Sequence, residues 1–251
     1  MKRFLRQINC QDHYEESRRS SPFFIIKYEL NYESDEFDRT LIDGLFEKAH
    51  VLASRVNPQP ANAEKEIRLP DTLLANAIAG VVSEFLWLDF LNSDPQNPIV
   101  RDTPFTDAST QIDLEVINGG KRIEVRSSFP RNGLVFAICD PEHQFDILGP
   151  YANSTYKPGE IRKQFYVRTL FVVEKPTDII ESIKKDGFEA FLTGGATEKM
   201  MRSPKFSLVK SLRPEDALRM AGQARYKVVP FSRALDTIQI QALIQQASSI
   251  K

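Results

Sequence analysis

The run Phe23-Phe-Ile-Ile-Lys-Tyr-Glu-Leu30 is nearly all apolar and predicts a strand over 23–30. Residues 38–55 place Leu41, Leu45, Ala49 and Leu52 at helical spacing and predict an amphipathic helix. A longer stripe follows, formed by Leu74, Ala77, Ile78, Val81, Phe85 and Leu88. Asp71, just after Pro70, is a natural N-cap for it, and Asn92 with Asp94-Pro95 ends it. Gln111–Ile117 and Arg122–Ser128 then alternate polar and apolar residues, the signature of half-buried strands. The short apolar run Leu134–Cys139 and the longer Phe165–Val173 also read as strands. Farther on, Ile179–Leu192 reads as a helix, Pro214 opens a helix over 215–224, Tyr226–Pro230 reads as a strand and Leu235–Ala247 as a final helix. The order is helix first, strands in the middle and helices after, an α/β (α+β) pattern.

Composition narrows the class. The chain has 251 residues, of which 41% are hydrophobic, enough for a core that needs no staples. Its 33 basic and 34 acidic residues leave a formal charge of −1, so any nucleic-acid surface must come from local clustering. The only cysteines, Cys10 and Cys139, lack a CxxC context and read as thiols of a reducing, cytoplasmic setting. No run is expected to reach the roughly 18 apolar residues that span a bilayer. The charged N-terminus, with Arg3, Arg6, Asp12, Glu15 and Glu16, has no signal-peptide core.

Chemistry concentrates in Gln111-Ile-Asp-Leu-Glu-Val-Ile-Asn-Gly-Gly-Lys-Arg-Ile-Glu-Val-Arg-Ser-Ser128. Asn118-Gly119 is a strong hairpin signal. A turn there sets Asp113 opposite Glu124, whereas a turn at Gly119-Gly120 sets Asp113 opposite Arg126 and Glu115 opposite Glu124. A three-residue turn would break both registers. Either two-residue turn puts Asp113, Glu115, Glu124 and Arg126 on one face and Ile112, Leu114, Val116, Ile123 and Val125 on the other. Opposed carboxylates lie about 4.5–5.5 Å apart at Cβ and repel, unless a hard cation sits between them. Arg126 beside them suits a phosphate. The plain alternative is a solvated, charged sheet face.

The preceding helix weighs against that alternative. Glu84 lies seven residues after Ala77, three after Val81 and four before Leu88, within the apolar stripe. A carboxylate there is costly unless it is paired or metal-bound. Gly80, one turn earlier, would allow another backbone to approach.

A helical Glu84, then Asp113, then Glu124-Val-Arg126 resembles the PD-(D/E)XK nuclease superfamily over about residues 71–175. The resemblance implies a restriction-endonuclease-like fold, a central mixed β-sheet flanked by helices, here with N- and C-terminal additions. It implies that Glu84, Asp113 and Glu124 ligate Mg²⁺, for which Mn²⁺ can substitute, and that Arg126 takes the place of the usual lysine. Arg126 is the main departure, because an arginine cannot accept a proton. Lys121, Lys157 or Lys163 could reach in instead. Ile112 where the family often has proline is a lesser one. The implied function is a Mg²⁺-dependent, site-specific double-stranded DNA endonuclease like a type II restriction enzyme, acting as a homodimer. A repair or mobile-element nuclease and a non-catalytic DNA-binding module are the alternatives; an interaction protein unrelated to nucleic acid would pair Glu84 with an arginine. Residues 1–70 would form an α/β extension for dimerisation or DNA contact, and 176–251 a mainly helical part of the same domain.

Candidate DNA contacts are Ser127, Ser128, Arg131 and Asn132 after the hairpin, and Tyr156, Lys157, Lys163 and Arg168 in a segment interleaving aromatic and basic residues. Thr193–Arg202 reads as a polar loop that could also face DNA. His13, His50 and His143 have no metal-ligand spacing, and no nucleophile elbow or P-loop is present.

Overall fold

A computed structural model of the protein describes residues 1–56, 68–104, 112–142, 146–152, 161–212 and 224–249. The elements in order are β1 (Lys2–Ile8), β2 (Phe23–Asn31), α1 (Glu36–Arg55), α2 (Pro70–Leu91), β3 (Val100–Asp102), β4 (Leu114–Val116), β5 (Arg122–Ser128), α3 (Leu134–Cys139), β6 (Asp146–Tyr151), β7 (Phe165–Phe171), α4 (Ile179–Ser182), β8 (Asp186–Thr197), α5 (Glu198–Arg202), β9 (Leu208–Leu212), β10 (Ala224–Pro230) and α6 (Thr237–Ser248). Seven strands form the main sheet in the order β1-β2-β8-β7-β5-β4-β3, and β6-β10-β9 form a second, smaller one. Only β5 and β7 pair in parallel; the other neighbours are antiparallel. The mixed sheet agrees with the α/β expectation.

Alternation along the strands builds two cores. Tyr28, Leu30, Leu114, Ile123 and Val167 meet Ile42, Ile78, Leu86 and Ile240 from α1, α2 and α6 on one side. Phe23, Ile25, Tyr166, Leu170 and Phe191 meet Ile138, Ile147, Met201 and Val229 on the other. The main sheet thus has helices over one face and the small sheet with α3 and α5 over the other. It takes strands from all three stretches marked out by sequence, 1–70, 71–175 and 176–251.

α2 is where the stripe predicts it, but Leu69 is the N-cap, Pro70 takes the first turn and Asp71 follows it, so Asp71 does not cap. At 22 residues it is, among the described residues, the one helix long and apolar enough to cross a membrane, contrary to the expectation that no run approaches that length. Half of its apolar window is buried, and it packs on β5 and α1 as a core helix.

Several expectations fail for physical reasons. Leu134–Cys139 is a helix rather than a strand, opened by Gly133 at φ 87°; a six-residue apolar run does not distinguish the two. The helix expected over 179–192 stops at Ser182, and after a turn over 183–185 the chain runs as β8 from Asp186, with Gly187 at φ 75° near its start. The C-terminal part is therefore rich in strands. The polar loop expected at Thr193–Arg202 is the inner end of β8 followed by α5. Gly194 and Gly195 serve packing there: a Cβ on Gly194 would lie 2.1 Å from the Leu235 carbonyl oxygen, while Gly195 and Leu235 exchange two 2.9 Å backbone bonds. The helix expected over 215–224 falls on residues that, but for Ala224 in β10, lie outside the described ones. Cys10 and Cys139, read as separate thiols, form a disulfide across 129 positions. It ties the turn after β1 to the end of α3.

Candidate active site

The hairpin adopts the first of the two registers. Leu114 pairs with Ile123 and Glu115 with Arg122, and the Val116 N–H donates to the Lys121 carbonyl at 2.7 Å. Continued one residue, this register sets Asp113 opposite Glu124. Gly119 at φ 92° and Gly120 at φ 60° supply the left-handed backbone that so tight a turn requires. Leu114 and Ile123 are fully buried, which fixes the facing of their neighbours.

Asp113 and Glu124 are buried, with 9% and 6% exposure. The Val125 N–H donates to Asp113 Oδ2 at 2.7 Å. Arg126 Nη2 lies 2.5 Å from Glu124 Oε1, and Lys163 Nζ lies 2.6 Å from Glu124 Oε2. Lys163 is 1% exposed and arrives from the lead-in to β7. Exchange of bonds between Gln164 and Arg122 extends the parallel β5–β7 pairing and holds that lead-in beside β5. Lys163, proposed from sequence both as a DNA contact and as a lysine reaching in, is thus part of the carboxylate cluster.

Glu84 looks into the same space from α2. It lines, with Asp102, Asp113, Glu124, Arg126 and Lys163, a cavity of about 680 Å³ between α1, α2 and the hairpin. Among the described residues no cation lies within ion-pair distance of Glu84. Burial, followed by the charges of Asp113, Glu124 and Asp102, holds the Glu84 carboxyl well above its usual pKa; Lys48 opposes this. Burial and Glu124 push Asp113 up to about 7, against the Val125 N–H, Arg126 and Lys163. Arg126 is raised in turn, chiefly by Glu124. For both Glu84 and Asp113 burial is the larger cause and the neighbouring carboxylates add to it.

An all-oxygen donor set of this kind suits a hard divalent cation. The cluster is not drawn into a finished cage: among the described residues, no group of three or more acidic, histidine or cysteine side chains is close enough to hold a metal ion. Both Glu124 oxygens are engaged by cations, so an ion bound there would have to displace one of those contacts.

Glu115 pairs with Arg101 at 2.6 Å and does not line the cavity. Ser127 and Ser128 are half-buried past the cluster, and Arg131 and Asn132 are exposed on the following turn. Arg168, expected to contact DNA, is 5% exposed and turned inward; its guanidinium donates to the Asp146 carbonyl at 2.5 Å and to Ser128 Oγ. Burial favours this use, since a guanidinium can satisfy two internal acceptors at once. Tyr156 and Lys157 lie outside the described residues. Lys48 and Asp102 line the cavity without having been singled out. Lys48 could have been: it continues the α1 stripe between Leu45 and Leu52, as Glu84 does in α2. Tyr226 also escaped notice. It packs against Tyr151 with the ring centroids 4.5 Å apart and the planes tilted by 35°. No known protein family, curated protein or solved structure matches this chain.

Proposed function

We propose that this chain is a Mg²⁺-dependent, site-specific endonuclease of double-stranded DNA, with a restriction-endonuclease-like fold and type II restriction-like action as a homodimer. The observation that carries the reading is the cluster itself. Glu84, Asp113 and Glu124 come from a helix and two hairpin strands to line one cavity, with Arg126 and Lys163 on the innermost acid. An exposed, solubilising sheet face would not be buried, and a structural ion pair would give Glu84 a cation, which it lacks among the described residues.

In this reading Glu84, Asp113 and Glu124 hold Mg²⁺, or Mn²⁺ in its place. The ion supplies charge neutralisation at the phosphate and a lowered pKa for water. Arg126 holds a permanent positive charge toward the phosphate oxygens and takes no proton. Lys163 does the work expected of the lysine missing from position 126, orienting the attacking water through its contact with Glu124. Ser127, Ser128, Arg131 and Asn132 lie past the cluster, where the DNA backbone would run.

The test is incubation of plasmid and phage DNA with purified protein and Mg²⁺. Discrete fragments, abolished by EDTA and by Asp113→Ala, are expected. DNA that stays intact but shifts on a gel in a salt-sensitive way would favour a non-catalytic DNA-binding module. Neither cutting nor shifting would remove the nucleic-acid reading.

A further inference from the structure

We propose that the cavity between α1 and α2 receives a single nucleobase turned out of the DNA stack beside the carboxylate cluster. The inference rests on the nuclease reading above and names what else of the substrate the site takes.

The cavity is larger than a cation and a phosphate need. Its volume of about 680 Å³ lies within the roughly 300–1,000 Å³ of pockets that enclose most of a small molecule, and far below what a duplex segment would require. Its walls are also the wrong chemistry for phosphate alone. Val51 and Leu52 of α1 face Val81, Phe85 and Leu88 of α2, and none of these five side chains is fully buried. A nucleobase has apolar faces for such walls and a polar edge. Lys48 on α1 adds a positive charge within the cavity.

The wall and the cluster are also spaced for one nucleotide. Val81, Glu84 and Leu88 follow at three- and four-residue spacing on one face of α2 and line the same cavity, so a phosphate at the acids holds its own base or the adjoining one within reach of the apolar wall. Turning a base out of a duplex costs a few kcal/mol, and least where the base is already unpaired. Stacking on an aromatic side chain returns about 1–3 kcal/mol per base.

The experiment compares three oligonucleotide duplexes that share one sequence containing a cleavage site, with Ca²⁺ replacing Mg²⁺ so that binding is read by fluorescence anisotropy. One is fully paired, one carries a single unpaired nucleotide, and one carries the same bulge without its base. The duplex with the unpaired base should bind about tenfold tighter than the abasic bulge, because only it fills the cavity. Val51→Trp, at a position 50% exposed and so tolerant of a larger side chain, should fill the cavity and erase that difference. Phe85→Ala should erase it from the opposite wall. Equal binding of the two bulges by the wild-type protein would overturn the inference and leave the nuclease reading intact. A base-dependent difference that survives Val51→Trp would overturn it as well. Failure to bind any of the three would overturn both.

Discussion

The two faces of the main sheet are closed in opposite ways. On one, the small sheet, α3 and α5 complete a core stapled by Cys10–Cys139, and its buried acid has a cation partner: Asp146 meets Lys210 at 2.8 Å, which offsets part of the rise that burial gives its pKa, while Arg168 donates to the Asp146 backbone. On the other, α1 and α2 leave a cavity of about 680 Å³, and its buried acids raise one another's pKa. The Lys210 contact relieves part of the cost of burying Asp146, whose Oδ1 has no hydrogen-bond partner among the described residues. Surplus carboxylates weaken the isolated fold, and in the proposed nuclease a cation from solution would complete them.

This contrast gives perturbations of opposite sign. The largest concerns the stapled face. Cys10→Ser or Cys139→Ser should lower stability by up to about 5 kcal/mol, the chain-entropy value for so long a loop. The double variant should be no worse than either single one, and urea melts under non-reducing conditions would show it. Next, Lys210→Met should cost about 1–3 kcal/mol, less than the roughly 3–5 of a fully buried pair because Lys210 is 32% exposed. Its cleavage rate per folded molecule should not change.

On the open face the sign reverses. Glu84→Gln should stabilise the metal-free protein by about 1 kcal/mol, since it removes a carboxylate held far above its usual pKa. Thermal melting should rise by about 2–4 °C for a chain of this size. A fall instead would mean that Glu84 has an attractive partner and that the two faces do not differ.

The smallest effect is a pH dependence. Asp113 is raised in the folded state to about 7 from an unfolded value near 4, so the native protein binds more protons than the unfolded chain between those values. The stabilising effect of that proton is fully present below about pH 4 and is lost as pH rises through about 7. If, as proposed, a divalent cation takes the place of that proton, stabilisation by Mg²⁺ should be greater at pH 8 than at pH 6. Equal stabilisation at the two pH values would detach Asp113 from the metal site.

Local signals carried much of this geometry. The α2 stripe located Glu84, and Asn118-Gly119 with buried Leu114 and Ile123 set the register that faces Asp113 with Glu124. Lys163 was legible only as one of three lysines in reach, because its place depends on the parallel β5–β7 pairing. Arg168 was misread because basic residues next to aromatics look the same whether they face DNA or an internal carbonyl. β1 went unseen: six of its seven residues are exposed, so its sequence shows no apolar face. The disulfide was beyond local reading, since its two halves meet only through the tertiary fold.

The nuclease reading requires that the surplus acids bind a cation. Calorimetric titration of the purified protein with Mn²⁺, with Asp113→Asn in parallel, tests this most directly. Saturable binding by the wild-type protein, weakened at least about tenfold in a variant that melts no lower, is the expected result. Undiminished binding by Asp113→Asn, or none by the wild-type protein, would contradict the account and leave the cluster as a buried charge network without a metal.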